Sequence, residues 1–521
     1  MKRLLGIAGL AGAWMLIFGF AALPAQASNY VPISGAGSTW SSNALDQWRR
    51  NVSQYGMRID YQASGSSDGR NQFRNGTVDF GVSEIPYGLK DGQVVDPVPT
   101  RPFAYMPIVA GGTSFMYNLK IGPNRVTSLR LSGEVIAKIF TGAITTWADP
   151  AIKADNPGLT LPGIKVVPVV RSDGSGTTAQ FTTWLAAQYP DIWNAYCQKV
   201  GRGSPCGFTS NFPASQGFVA QSGSLGVSGY VSQDQSVGAI TYVEYSYAKN
   251  AGFPVVKVLN KAGYYVQPTA QAVAVGLQGA TINRDLTQNL SGVYNSTDKR
   301  AYPLSSYSYM IVPTSNDNGF SNDKGATLAD FGFYFLCQGQ QQADALGYSP
   351  LPKNLVEAGI TQIKRIPGAN VANYVISKCT NPTFSTDGSN TLAKNAPMPP
   401  ACDAKGPQQC GTPAENAGGD AACSKKASAA AVLMASRNDA IYNAFAFMPQ
   451  ANFTSDLISL KDTHLPSVFA TALTTNGDSA VEKVNAALAK ADFTKPVRIR
   501  QNAKADQSGL LRFALLSFAG A

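Results

Sequence analysis

Apolar positions along the chain alternate between two rhythms. Residues 164–170 are near-continuously apolar and β-branched, as in a strand covered on both faces. The stretch that opens at Gly176 carries Phe181, Trp184, Leu185 and Tyr189 on one helical face. Between the two lies Arg171-Ser172-Asp173-Gly174-Ser175-Gly176-Thr177-Thr178, polar and rich in glycine. The same order of strand, small-residue turn and helix occurs twice upstream. Residues 31–34 read as a strand, Gly35-Ala36-Gly37-Ser38-Thr39 as a turn, and Trp40, Ala44 and Trp48 as one face of a helix. Residues 57–62 read as a strand, Ala63-Ser64-Gly65-Ser66-Ser67-Asp68-Gly69 as a turn, and the chain continues as a short helix through Phe73. A strand at 78–82 then ends in Ser83-Glu84. Further strands are predicted at 104–110, 114–118, 239–243 and 307–312, with Gly111-Gly112 between the first two, and helices at 131–140, 326–337 and 354–359.

A helix start leaves backbone N–H groups unpaired and carries roughly half a positive charge, so an anion placed there satisfies both. Three such starts, the hydroxyls of Ser175, Thr177 and Thr178, and the planar donor fork of Arg171 describe an oxyanion cradle at the carboxyl ends of parallel strands. A plainer account of the Arg171 stretch makes Gly174 and Gly176 a turn, Ser175 a helix cap and Arg171–Asp173 a local ion pair. No nucleotide loop is present, since the lysine and hydroxyl pair after the second glycine is missing. No G-x-G-x-x-G dinucleotide fingerprint is present either.

Residues 1–27 read as a secretory signal: Lys2 and Arg3, an apolar core at 4–20, and Ala25-Gln26-Ala27 before cleavage. The mature chain is expected to start near Ser28, outside the cytoplasm. No cysteine precedes Cys197, so no lipid-attachment cysteine stands at the cleavage site. With 521 residues and 44% hydrophobic content the chain is too long for one core and rich enough for at least two. Its formal charge of +10 falls to about +8 without Lys2 and Arg3, dispersed rather than striped, which argues against nucleic acid and suits small anions. Seven cysteines in an oxidising compartment allow up to three disulfides with one thiol over. Cys197 and Cys206 are close enough to staple one loop, while Cys379, Cys402, Cys410 and Cys423 leave their connectivity open. The sole histidine, His464, and the cysteine spacings speak against a metal site.

Four ordered motifs give the chain a family resemblance. Gly35-Ala36-Gly37-Ser38-Thr39-Trp40, Tyr61-Gln62-Ala63-Ser64-Gly65-Ser66-Ser67, Asp79-Phe80-Gly81-Val82-Ser83-Glu84 and Arg171-Ser172-Asp173-Gly174-Ser175-Gly176-Thr177 resemble, in that order, the phosphate-binding protein of the high-affinity phosphate ABC transporter. Leu346-Gly347-Tyr348-Ser349-Pro350-Leu351-Pro352 resembles the end of that family's domain, so the likeness spans roughly 30–378.

The resemblance implies an α/β, two-lobed periplasmic-binding-protein-like fold of type II, each lobe a mixed sheet flanked by helices. Lobe 1 would hold 28–112 and 303–378 and lobe 2 residues 113–302, followed by a linker or disulfide-held loop at 379–428 and an extension at 429–521 to which the sequence assigns no role. Carried over by motif, the phosphate-binding residues would be Thr39, the Trp40 backbone, Ser66, Glu84, Arg171, Ser175, Gly176 and Thr177. No catalytic residue, metal or cofactor is expected. The partners implied are inorganic phosphate and a membrane ABC permease, with the protein itself a monomer. Glu84 departs from the family's Asp. Its carboxylate would accept a hydrogen bond from a protonated phosphate oxygen and repel sulfate, which carries no proton at neutral pH. The tyrosines at 242, 245, 247, 264 and 265 read as core and surface filling.

Other functions are weaker fits. Gly65-Ser66-Ser67-Asp68-Gly69 satisfies G-x-S-x-G, with His464 in the chain order of a serine hydrolase, but leaves the other two cradles unexplained. A secreted phosphatase or phosphate scavenger would use the same cleft, and a cell-wall or adhesion protein would keep the lobes without using them. The apolar stretch at 509–521 is too short to span a bilayer.

Overall fold

The computed structural model of the chain describes residues 30–406 and residue 409, so the expected leader and the extension at 429–521 lie outside the described residues. Strand β1, Ile33–Gly37, runs parallel between β2, Ile59–Gln62, and β3, Phe80–Ser83. The turn expected at 35–39 is partly strand, and helix α1, Ser42–Ser53, starts two residues after Trp40. The reason lies in Gly37. Its φ of +140° suits glycine, and a Cβ there would sit 2.1 Å from the Val82 carbonyl oxygen, so the strands close on each other where a turn was expected. Helix α2, Ser66–Arg74, lies as tightly over β1: a Cβ on Gly69 would come within 2.2 Å of Gly37 Cα. These glycines bring protein against protein.

The remaining strands of the main sheet are β4, Phe103–Tyr117; β5, Val167–Arg171; β6, Val219–Gln221; β7, Ala239–Glu244; and β8, Ser305–Pro313. Their order is β6-β5-β7-β4-β8-β3-β1-β2. Within it β1, β2 and β3 are mutually parallel, as are β5, β6 and β7, while β8 runs against both its neighbours β3 and β4, and β4 runs against its other neighbour β7.

The two lobes share β4. From Phe103 to Gly112 it pairs with β8; from Thr113 to Tyr117 it pairs with β7. The two strands expected on either side of Gly111-Gly112 are therefore one strand. A glycine pair stays extended here because the neighbours leave no room for side chains: a Cβ on Gly111 would meet the Trp40 ring at 2.8 Å, and one on Gly112 would meet Pro268 at 2.6 Å.

Each lobe has its own aromatic core. Trp48 stacks on Phe335 and Tyr61 on Phe80 in the first, where α5, Asn322–Leu336, and α6, Lys353–Ile363, cover the sheet. In the second, Phe181 of α3, Gly176–Gln188, meets Phe115, Phe140, Trp184, Phe212 and Tyr242. Cys197 and Cys206 form the expected staple. Cys337, at the end of α5, pairs with Cys379, a bond that residue spacing gave no reason to choose. From there the chain runs across both lobes. Asn381 and Thr383 donate to the Leu351 carbonyl at 3.0 and 2.8 Å, and the buried Asp403 carboxylate lies 2.8 Å from Arg130 Nε and 2.7 Å from Lys257 Nζ.

Candidate functional site: a polar cleft between the lobes

Glu84 follows β3, and its carboxylate is buried at 1% exposure among hydroxyl groups from three separate segments. Ser38 and Ser308 each donate to Oε1 at 2.6 Å, and Ser66 donates to Oε2 at 2.8 Å. Ser66 begins α2 and faces the other lobe: the Gly176 N–H, the first of α3, donates to Ser66 Oγ at 3.1 Å. Gly176 has to be glycine, since a Cβ there would lie 1.9 Å from Glu84 Oε2. Three hydroxyls and a helix start thus surround one carboxylate at the junction of the lobes.

Arg171, the last residue of β5, stands on the far side of the cleft and is 3% exposed. Asp173 holds the guanidinium by two oxygens, with Nε–Oδ1 at 2.7 Å and a second contact from Nη2 to Oδ2. Burial pushes the Asp173 carboxyl up, but the Arg171 hydrogen bonds and charge, with the Gly223 N–H at 2.9 Å, outweigh it and hold the group below the usual carboxylate range. The local ion pair considered for this stretch is therefore present. It is compatible with anion binding, because a guanidinium has five N–H donors and Nη1 points elsewhere, to Ser224 Oγ at 3.4 Å.

Ser224 belongs to a fourth helix start. Helix α4, Gly223–Val231, begins beside the cleft, its Ser224 Oγ lies 2.8 Å from Thr39 Oγ1, and its Ser224 N–H donates to the same Thr39 oxygen at 3.2 Å. Residues 217–230 are rich in glycine and serine, without an apolar strand to announce a helix. The signal was present in Ser222-Gly223-Ser224 followed by Val227 and Val231, small residues ahead of one helical face.

The eight residues named from the motifs form one contiguous polar patch with Ser38, Ser224 and Ser308. Trp40 donates its N–H to Ser38 Oγ at 3.0 Å, Ser175 Oγ caps α3 by accepting from the Thr178 N–H at 3.1 Å, and the buried Thr177 Oγ1 has no hydrogen-bond partner among the described residues. Tyrosines read as filling have a further role. Tyr242 OH accepts from the Arg171 N–H at 3.2 Å and shares a hydrogen bond with Thr178 Oγ1 at 2.8 Å, and burial pushes its ionisation up to about 12, so it stays neutral. Tyr247, from lobe 2, donates to the Thr39 carbonyl at 2.5 Å. Among the described residues, Ser67, at the centre of the G-x-S-x-G match, has no hydrogen-bond partner on Oγ, and His464 lies outside them. Among the described residues no group of His, Cys, Asp and Glu is placed to hold a metal ion.

Two lobes joined through a shared strand, with helix starts from both meeting at one buried polar junction, have the architecture of a two-lobed solute-binding protein. A family model described as a PBP superfamily domain matches residues 22–338. The chain is 35% identical over 335 residues to the phosphate-binding protein PstS of Xylella fastidiosa, a match covering 64% of this chain and 85% of that protein. It is 31% identical over 337 residues to PstS of Haemophilus influenzae, covering 64% and 92%. A solved structure of an ancestral soluble variant of the human phosphate-binding protein aligns with 65% of this chain and 99% of its own at a TM-score of 0.49 and 19% identity. The chain belongs to the PstS family of phosphate-binding proteins.

Proposed function

We propose that this protein captures inorganic phosphate between its lobes, outside the cytoplasm, and delivers it to an ABC permease without turning it over. The observation that carries the reading is the meeting of Ser66 and Glu84 of one lobe with the Gly176 N–H of the other, beside Arg171. Neutral donors from four helix starts and one guanidinium suit an anion with several oxygens, and Glu84 suits one that brings its own proton. In this reading Thr39, the Trp40 backbone, Ser66, Glu84, Arg171, Ser175, Gly176 and Thr177 contact phosphate, and the lobes divide at 112/113 and 302/303. The protein acts as an exported monomer with no nucleic-acid partner.

Titration calorimetry and an ester-hydrolysis assay on the mature chain test the proposal together. One phosphate bound per chain with no release of phosphate from esters is expected. Absence of binding, or steady ester hydrolysis abolished by Ser67→Ala, would favour the hydrolytic alternatives instead.

A further inference from the structure

Glu84 needs help to discriminate between anions. A carboxylate on a three-bond stem has rotamers to choose from, and only one of its oxygens can face the cleft at a time. Here the choice is made by β8. Ser308 is fully buried and donates to Glu84 Oε1 at 2.6 Å, opposite the second donor on that oxygen, Ser38, also at 2.6 Å. A hydroxyl has one hydrogen, so Ser308, having given its own to Glu84, accepts from Ser41 Oγ at 3.2 Å. Ser41 immediately precedes α1, and the chain of hydroxyls therefore ties the start of that helix to the carboxylate.

The sheet is irregular at the same place. Ser308 is registered against Val109 and Tyr309 against Pro107, so Ile108 is an extra residue on β4 and the pairing slips by one. Such bulges bend and twist a ladder locally and re-aim side chains next to functional sites. With Oε1 held by two serines, Oε2 accepts one hydrogen bond, from Ser66 at 2.8 Å, and lies on the α3 side, where a Cβ on Gly176 would meet it at 1.9 Å.

We propose that Ser308 is a specificity-determining positioning residue: by holding Glu84 Oε1 it presents Oε2 to the anion, as acceptor for the proton that phosphate carries and sulfate lacks. This rests on the phosphate reading above and assigns a role to a residue outside the family motifs.

A thermodynamic cycle tests it. Phosphate and sulfate dissociation constants are measured at one pH for the wild type, Ser308→Ala, Glu84→Gln and the double variant, with Ser308→Thr as the variant that keeps the hydroxyl. Ser308→Ala is expected to reduce the phosphate-to-sulfate preference by about fivefold or more, on the scale of one charge-assisted hydrogen bond. Ser308→Thr is expected to retain most of the preference, and Ser308→Ala to have no further effect once Glu84 is Gln. An unchanged ratio in a Ser308→Ala protein that still binds phosphate overturns the role, as does an equal loss in both backgrounds. A wild type that binds no phosphate overturns the phosphate reading itself, and the two failures are told apart by the first titration.

Discussion

Arg171 and Glu84 act as opposites within one cleft. Arg171 is the only full positive charge among the proposed ligands, and a charge-assisted contact from a buried guanidinium is worth about 1.5–3 kcal/mol. Arg171→Ala is therefore expected to weaken phosphate binding at least roughly tenfold, read by calorimetry. An unchanged affinity would mean that the guanidinium serves only Asp173. That pair has its own pH signature. The Asp173 carboxyl is held below its unfolded value, so its contribution to stability is present at neutral pH and is lost as pH falls below about 4, through the folded-state value. Acid unfolding should come at higher pH in Asp173→Asn than in the wild type; coincident acid limbs would remove the pair from the account of stability. Much of this residue scale was legible beforehand, because Arg171, Asp173, Ser175 and Gly176 lie within six positions whose roles follow from one strand end and one helix start. Ser308 was not. A strand pattern assigns faces, but not the register slip at Ile108 or the distant carboxylate that a serine on that face will meet.

Among elements, the helix starts are the working parts. Three were found from their grammar of apolar strand, small polar turn and helical face. The fourth, α4, was missed because β6 before it is only three residues long and carries no apolar run. The crossing strand β4 was read as two because glycine pairs usually punctuate. Here Trp40 and Pro268 fill the space that side chains would take. Opposite this crossing, Glu244 ends β7 and caps the helix Tyr245–Asn250 by accepting from the Ser246 N–H at 2.8 Å. Burial pushes its carboxyl well above the usual value despite the hydrogen bonds from Ser246 that favour the charged form. A group raised in this way stabilises the fold at low pH and loses that contribution as pH rises through its folded value. Glu244→Gln should therefore narrow the fall in melting temperature between pH 5 and pH 9, measured by thermal unfolding at a series of pH values. An identical pH profile in the variant would show that the Glu244 carboxyl is not raised in the folded protein.

For the whole molecule, two sets of contacts join the lobes. Near the crossing, residues 381–403 span both lobes from Leu351 to the buried Asp403. At the rim, the hairpin of Lys90–Asp91 and Val94–Val95 reaches from lobe 1 to lobe 2, where Asp91 pairs with Arg202 and accepts from the Ser210 N–H at 3.0 Å. The rim contact is only part-buried and has no covalent tie. Opening should break it first, and phosphate should restore it. Small-angle scattering is expected to show contraction on adding phosphate, and Asp91→Ala to enlarge the phosphate-free radius. A radius indifferent to phosphate in a protein that binds it would place the site on one lobe or show that the cleft is closed already. The lobes' existence was legible through family motifs. The span by 381–403 was not, because a stretch of Pro, Gly and Asn has no period, and its anchors are single side chains at the far end of long sequence separations.

The most direct test of capture between the lobes is a crystal structure of the mature protein with phosphate. The account predicts one tetrahedral anion within hydrogen-bonding distance of Ser66 Oγ and Glu84 from lobe 1 and, at the same time, of Arg171 and the Gly176 N–H from lobe 2. Phosphate bound to one lobe alone, or found away from these residues, would contradict it.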